Sequence, residues 1–195
     1  MEPMKFFFTL ILFSLQLIAS AQQHDLGKSY PGYLVTFTDS IHGNITVDMS
    51  SNTLMLKSQK GLTNFAAREI KKAVFFDNKG AVRTIVSGHW GSDQQAYLFE
   101  AIVTGTAPLL YREGLKFEQH DDEDFPPFFT KVQNSVFSLG NKRTILSFLE
   151  DMGSYGDYVK EHKLKIKEKQ DLILLFCHVN GIDPVEVAPI AGDDL

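Results

Sequence analysis

Three short stretches place side chains with chemical capacity beside one another. The first is "TDSIHG", Thr38 to Gly43, which holds Asp39, Ser40 and His42. A hydrolytic triad needs an acid, a histidine and a hydroxyl converging in space rather than in sequence. Strand alternation sends Ile41 and His42 to opposite faces, and Asp and Ser are residues that turns select because their side chains bond nearby backbone donors. The stretch therefore reads as the turn of a hairpin.

The second stretch is "HDDEDFPPFF", His120 to Phe129, in which Asp121, Asp122, Glu123 and Asp124 stand side by side. Several carboxylate oxygens are what a hard cation such as calcium takes. A calcium loop spaces its ligands and uses a glycine to wrap the chain, whereas adjacent like charges mostly point into water. A solvated loop is the ordinary reading, and divalent binding by these four acids is its rival. The third stretch is "SGHWGSD", Ser87 to Asp93, which lacks the glycine spacing of a nucleophile elbow. It reads as a connecting loop, with His89 and Trp90 as candidates for binding a ligand or partner because an indole joins a large apolar body to a polar tip.

No metalloprotease H-E-x-x-H, C-x-x-C or phosphate-loop motif occurs, so no catalytic residue is assigned and no cofactor is implied. A hydrolase would have to draw on Glu113, Asp121 or Asp124 with His89 or His120, in a pocket that separates their pKa values. His24, His162 and His178 are scattered along the chain. Cys177, the one cysteine, sits in the apolar run "LILLFCHV" and reads as core rather than nucleophile.

The first residues bear on compartment. Met1 to Lys5 ends in a base, Phe6 to Ile18 carries no charge, and "ASA" at 19–21 precedes the polar "QQHD". That pattern predicts a cleavable signal over 1–21, hence an exported chain, periplasmic or secreted. The apolar run is shorter than the roughly 20 residues that cross a bilayer, so no stable membrane span is expected after cleavage. Glu2 and Lys5 cancel, and the remaining chain keeps the net charge of −5. That balance gives no electrostatic reason for nucleic acid as a partner. One thiol forms no internal disulfide, so the fold must stand on packing. "NIT" at Asn44 is a glycosylation sequon only for a chain in a eukaryotic secretory pathway.

The elements that would position these residues fall into two parts. From Tyr30 to about Leu139, short alternating runs such as "GYLVTF", "HGNITV", "TLMLKS", "KKAVFF" and "AVRTIVS" are separated by turn residues, with "DNKG" a strong hairpin signal. After Gly140 the period becomes helical: Asn141 caps a run ending at Gly153, Ser154 caps a short second helix, and a third spans about Lys165 to Asn180. Each helix is too short to bury its stripe alone and must pack on the sheet. The expected fold is α+β: an antiparallel β-rich body, as a curled sheet, barrel or sandwich, followed by two or three C-terminal helices. It would form a single domain over 22–181, with 182–195 a tail.

"GYLVTFTDSIHGNI", followed in order by "AREIKKAVFF", "FEAIVTGTAPLLY" and the helix before "HVNG", resembles the motifs of poorly characterised exported proteins of the Bacteroidota. The likeness spans about Gly32 to Gly181. It implies an envelope protein with a β-rich body and C-terminal helices, and it transfers no catalytic residue. It also implies possible O-glycosylation at Ser40, since in those bacteria Asp followed by Ser or Thr and an apolar residue can be modified, as in Asp39-Ser40-Ile41. Together these readings point to an exported, non-catalytic module that binds an envelope protein or a small apolar ligand. The alternatives are a carboxylate- and histidine-dependent hydrolase and a structural subunit of an envelope assembly.

Overall fold

A computed structural model describes residues 28–91, 95–115, 124–153 and 155–184. The expected signal over 1–21, the four-acid stretch up to Glu123, Ser92, Asp93, Ser154 and the tail beyond 184 lie outside the described residues. The body is a ten-stranded sheet in the order β10-β9-β8-β7-β6-β5-β1-β2-β3-β4, with a further pairing of β10 to β6. The strands are β1 (Tyr30–Thr36), β2 (Ser40–Asp48), β3 (Thr53–Ser58), β4 (Gly61–Ala66), β5 (Ile70–Phe76), β6 (Val82–Trp90), β7 (Ala96–Val103), β8 (Leu109–Tyr111), β9 (Phe128–Val132) and β10 (Ser135–Ser138). Three helices follow, α1 (Lys142–Gly153), α2 (Gly156–Glu161) and α3 (Lys169–Asn180). The α+β class, with a curled antiparallel body and C-terminal helices, is as the sequence predicts.

Strands β6 and β7 belong to two cores at once. On one face of β6 and β7, Val86, Trp90, Tyr97, Phe99 and Ala101 join Leu110, Phe129 and Val136 in the interior of a small barrel. That barrel closes because β10 pairs with β9 on one side and, in parallel, with β6 on the other, at Ser135↔His89 and Val136↔Trp90. On the opposite face, Ile85 and Leu98 join Leu34, Ile45, Leu54, Leu56, Ala67, Ile70 and Ala73. Burial on both faces explains why β7 reads as a nearly continuous apolar run rather than an alternating one. Each fully buried Leu or Ile contributes about 1.5–3 kcal/mol.

The second core sits under a wing of sheet, β5-β1-β2-β3-β4, that curls back toward β7. Among the described residues, no strand closes it. Beyond its last pair with β8, Glu100↔Tyr111, strand β7 is met instead by side chains. Leu98 N–H donates to Asn52 Oδ1 (3.2 Å), and Leu98 C=O accepts from the Arg112 guanidinium (2.6 Å). Arg112 also donates to Asn52 Oδ1 and to Met49 C=O, both at 2.6 Å, and so ties the β2–β3 turn to the barrel. Asn52 reaches this position with φ of +55°, a left-handed conformation that asparagine tolerates better than most residues.

The helices cover the third face. Asn141 Oδ1 accepts from Thr144 N–H (2.8 Å), capping α1 as its sequence predicts. α3 ends at Gly181 with φ of +64°, the left-handed cap expected from Asn-Gly. It starts at Lys169 rather than Lys165, because Asp171 accepts the Lys165 N–H (2.7 Å) and holds the preceding residues in turns. Asn180 clamps the far end, accepting from Ala107 N–H and donating to Ala107 C=O across the β7–β8 turn. Leu172, Leu175, Phe176 and Cys177 of α3 pack with Ile145 and Leu149 of α1 on Phe128 and Leu109 of the sheet. None of the helices among the described residues is long and apolar enough to cross a membrane.

Candidate functional site

The residues singled out by type do not assemble into one centre. Asp39 Oδ1 accepts the Ser40 N–H (2.8 Å), while His42 lies against Tyr33 with ring centroids 5.7 Å apart. This is turn chemistry, and it leaves Ser40 exposed at the start of β2. Glu113 accepts a hydrogen bond from the Tyr111 hydroxyl two residues away. Asp124, the one described member of the four-acid stretch, is exposed and lies 3.7 Å from Lys167 Nζ. His120 and Asp121 to Glu123 fall outside the described residues. Among the described residues, no group of three or more His, Cys, Asp and Glu side chains is placed to hold a metal ion.

His89 and Trp90 differ from expectation in setting. They end strand β6 rather than standing in a loop, because the parallel pairing with β10 carries the strand through them. His89 is exposed; Trp90 is half-buried and meets Tyr97 and Phe129 edge to face, at 6.2 and 5.8 Å between centroids. Among the described residues its buried Nε1–H meets no hydrogen-bond partner, and neither does Nε of Arg112. Arg112 is 6% exposed and packs 5.4 Å from the Tyr97 ring centroid, and burial lowers its pKa from the ordinary arginine value.

Two further clusters, one charged and one aromatic, escaped the sequence reading. Arg83 donates to Asp77 Oδ2 (2.9 Å) and Glu100 Oε1 (2.7 Å), joining β6, the β5–β6 turn and β7 in a buried network. Burial opposes both charges, yet Glu100 and Asp77 hold Arg83 above its ordinary pKa, while Arg83 and the N–H groups of Ala81 and Lys79 hold Asp77 below the usual carboxylate range. The signal was present: Arg83 shares the inward parity of Ile85, and Glu100 that of Leu98. On the helical side, His178 stacks on Tyr158 at 3.6 Å between centroids, and His162 lies tilted against the same ring at 4.0 Å. Cys177 is buried, and burial pushes its thiol pKa up, followed by the charge of Asp183.

A concave feature lies where α1 crosses the β9–β10 hairpin. The hairpin turns at Gln133 with φ of +55°, and β9 and β10 present Thr130, Val132 and Phe137 to the helix. α1 supplies Arg143, Thr144, Ser147, Phe148 and Asp151, enclosing with Leu139 a groove of about 430 Å³. Val132 and Phe137 are 48% and 47% exposed, large apolar side chains that α1 does not cover. Phe148 is held as one wall by stacking on Phe176, at 6.1 Å and 8°. Arg143 and Asp151 stand eight positions apart on α1, about 12 Å along its axis, so the apolar floor lies between a base and an acid. Nothing in the sequence marked this groove, because residues from 130 to 151 meet only when the helix docks.

No protein-family model, curated protein or solved structure matches this chain.

Proposed function

We propose that this protein is an exported, non-catalytic binding module of the cell envelope. Its β-rich body, together with α1, takes a small apolar ligand, or an apolar side chain of an envelope protein, into the groove at the β9–β10 hairpin. The observation that carries the reading is the groove itself: about 430 Å³, within the range of small-molecule sites, with Val132 and Phe137 left exposed on its floor and Phe148 fixed as its wall. Arg143 and Asp151 at its ends suit an occupant with polar termini and an apolar middle. Export rests on the N-terminal pattern of residues 1–21 and on the resemblance described above.

Native mass spectrometry of the untagged chain purified gently from its own host tests the proposal. The expected spectrum shows the chain shortened by the signal, with an added mass that leaves on gentle activation and is lost in Phe137→Asp. A bare chain in both proteins, together with no Phe137-dependent binding of the probe 1-anilinonaphthalene-8-sulfonate, would overturn the ligand reading. A chain that retains residues 1–21 would overturn export. The same spectrum tests Ser40, since a covalent sugar survives activation and a bound ligand does not.

A further inference from the structure

Strand β4 ends the sheet, and among the described strands it is the open edge, because β10 at the other end of the order is closed onto β6. Its main-chain groups can be assigned from the ladder with β3. Ala67 N–H donates to Asn52 C=O (2.9 Å), which makes Thr53↔Ala66 a non-hydrogen-bonded pair. Alternation then turns the N–H and C=O of Leu62, Asn64 and Ala66 away from β3. Ala66 N–H is met by Glu69 Oε2 (2.8 Å), which leaves the groups of Leu62 and Asn64 facing outward. Edges of this kind are usually blunted by charge, proline or a bulge. "GLTNFA" has no charge and no proline, it pairs with β3 without a register shift, and Leu62 stands 66% exposed.

We propose that β4 is the pairing edge of a symmetric dimer, in which a second copy of this chain adds its own β4 antiparallel about a two-fold axis at Thr63. In that register Leu62 of each copy opposes Asn64 of the other. Each such pair exchanges both main-chain hydrogen bonds, so the outward groups of Leu62 and Asn64 satisfy one another. Thr63 meets Thr63 of the second copy at the closer, non-hydrogen-bonded position, where threonine pairs are favourable. Charge agrees with this direction: Lys60 of one copy comes opposite Ala66 of the other, beside the Glu69 carboxylate that caps it. A parallel pairing would bring lysine beside lysine. This self-complementarity of hydrogen bonds and charge selects a second copy over a foreign extended segment.

Sedimentation velocity and light scattering across a concentration series of the untagged chain, as its host processes it, test the proposal. The expected outcome is a concentration-dependent doubling of mass. Thr63→Lys sets like charges directly opposite at the two-fold axis and is expected to weaken dimerisation about tenfold or more, with circular dichroism unchanged and the melting temperature unchanged at dilutions where both proteins are monomeric. Asn64→Pro removes an outward N–H without touching the β3 ladder and is expected to act in the same direction. If Asn64→Pro fails to fold, Thr63→Lys carries the test. A wild type that stays monomeric throughout, which would leave the edge to a foreign segment, overturns the proposal. So does a dimer that neither substitution weakens.

Discussion

The two cores that share β6 and β7 are closed by different means. The small barrel is closed by backbone: β10 turns from β9 to pair in parallel with β6, and the ladder runs round without an edge. The wing is closed by side chains, with Arg112 and Asn52 bridging from β8 and the β2–β3 turn to the free groups of Leu98. A backbone closure is indifferent to side-chain identity at most positions. A side-chain closure depends on two residues, and it leaves an open strand beyond it, β4. The contrast extends to the two buried arginines. Arg83 has carboxylates on both sides, whereas the groups bonding Arg112 among the described residues are carbonyl oxygens. Arg83 neutralises charge, and Arg112 supplies donors where no described strand meets β7.

The largest expected effect comes from removing that substitute. Arg112→Met keeps the apolar stem but leaves Met49 C=O, Leu98 C=O and Asn52 Oδ1 with a lost donor. Asn52 Oδ1 keeps the Leu98 N–H, so at about 1–3 kcal/mol for each of the two main-chain acceptors left unmade, less the gain from no longer burying a cation, the loss is about 2–4 kcal/mol. Denaturant unfolding measures it, and hydrogen exchange locates it. Protection should fall first in the β2–β3 turn and β3, while β9 and β10 keep theirs. Uniform loss of protection would mean that the two cores unfold as one unit and that the contrast is only geometric.

A pair of glycines sharpens the comparison at smaller cost. A Cβ at Gly32, in the wing, would collide with Val74 C=O of β5 and come within 2.7 Å of Phe75 Cβ, so relief requires two strands to move apart. A Cβ at Gly88, in the barrel, would collide with Cγ2 of Val136, a side chain rather than main chain, so relief does not require a ladder to part. Gly32→Ala should therefore cost about 2–3 kcal/mol and Gly88→Ala about 1 kcal/mol, read from denaturation midpoints at a common m-value. Equal costs, or a reversed order, would show that the wing yields more readily than its ladder implies.

The same contrast decides how much of the molecule was legible in the sequence. Alternation and turn residues are local, so β1 to β3, the β5–β6 hairpin with Gly80 at φ +80°, and the capped helices α1 and α3 follow from short windows. Strand β4 does not, because "GLTNFA" has the glycine and asparagine of a loop and becomes a strand by pairing with β3. The sequence around Trp90 reads as a loop for a similar reason. Gly88 and Gly91 beside it look like turn residues, whereas Gly88 lies in the strand where Val136 approaches closely. The pairing of β10 with β6 spans more than forty residues and has no local signature. The groove depends on that same distant closure, since it forms where the closed hairpin meets α1. The residues with conspicuous chemistry are visible in short windows but, where described, do not converge; those that build the groove are ordinary residues whose meaning is positional.

The smallest expected effect lies in the turn that Arg112 grips. Asp48 accepts from Ser50 N–H (2.9 Å), Ser50 Oγ (2.6 Å) and Ser51 N–H (3.1 Å), and the Ser50 and Ser51 hydrogen bonds lower its pKa from 3.8 to about 2. A carboxyl with a depressed folded pKa contributes stability that is fully present above its unfolded value. That contribution fades as pH falls from about 4 toward 2. Asp48→Asn removes the titration while keeping an acceptor oxygen. It should lower stability modestly at pH 7 and flatten the acid limb between those values, with the two proteins converging near pH 2. Because Met49, whose carbonyl Arg112 holds, adjoins Asp48, acid should loosen the side-chain closure before the backbone closure. Exchange in β3 should then rise at a higher pH than exchange in β9. If both strands lose protection at one pH in wild type and Asp48→Asn alike, the Asp48 turn is not what fastens the wing.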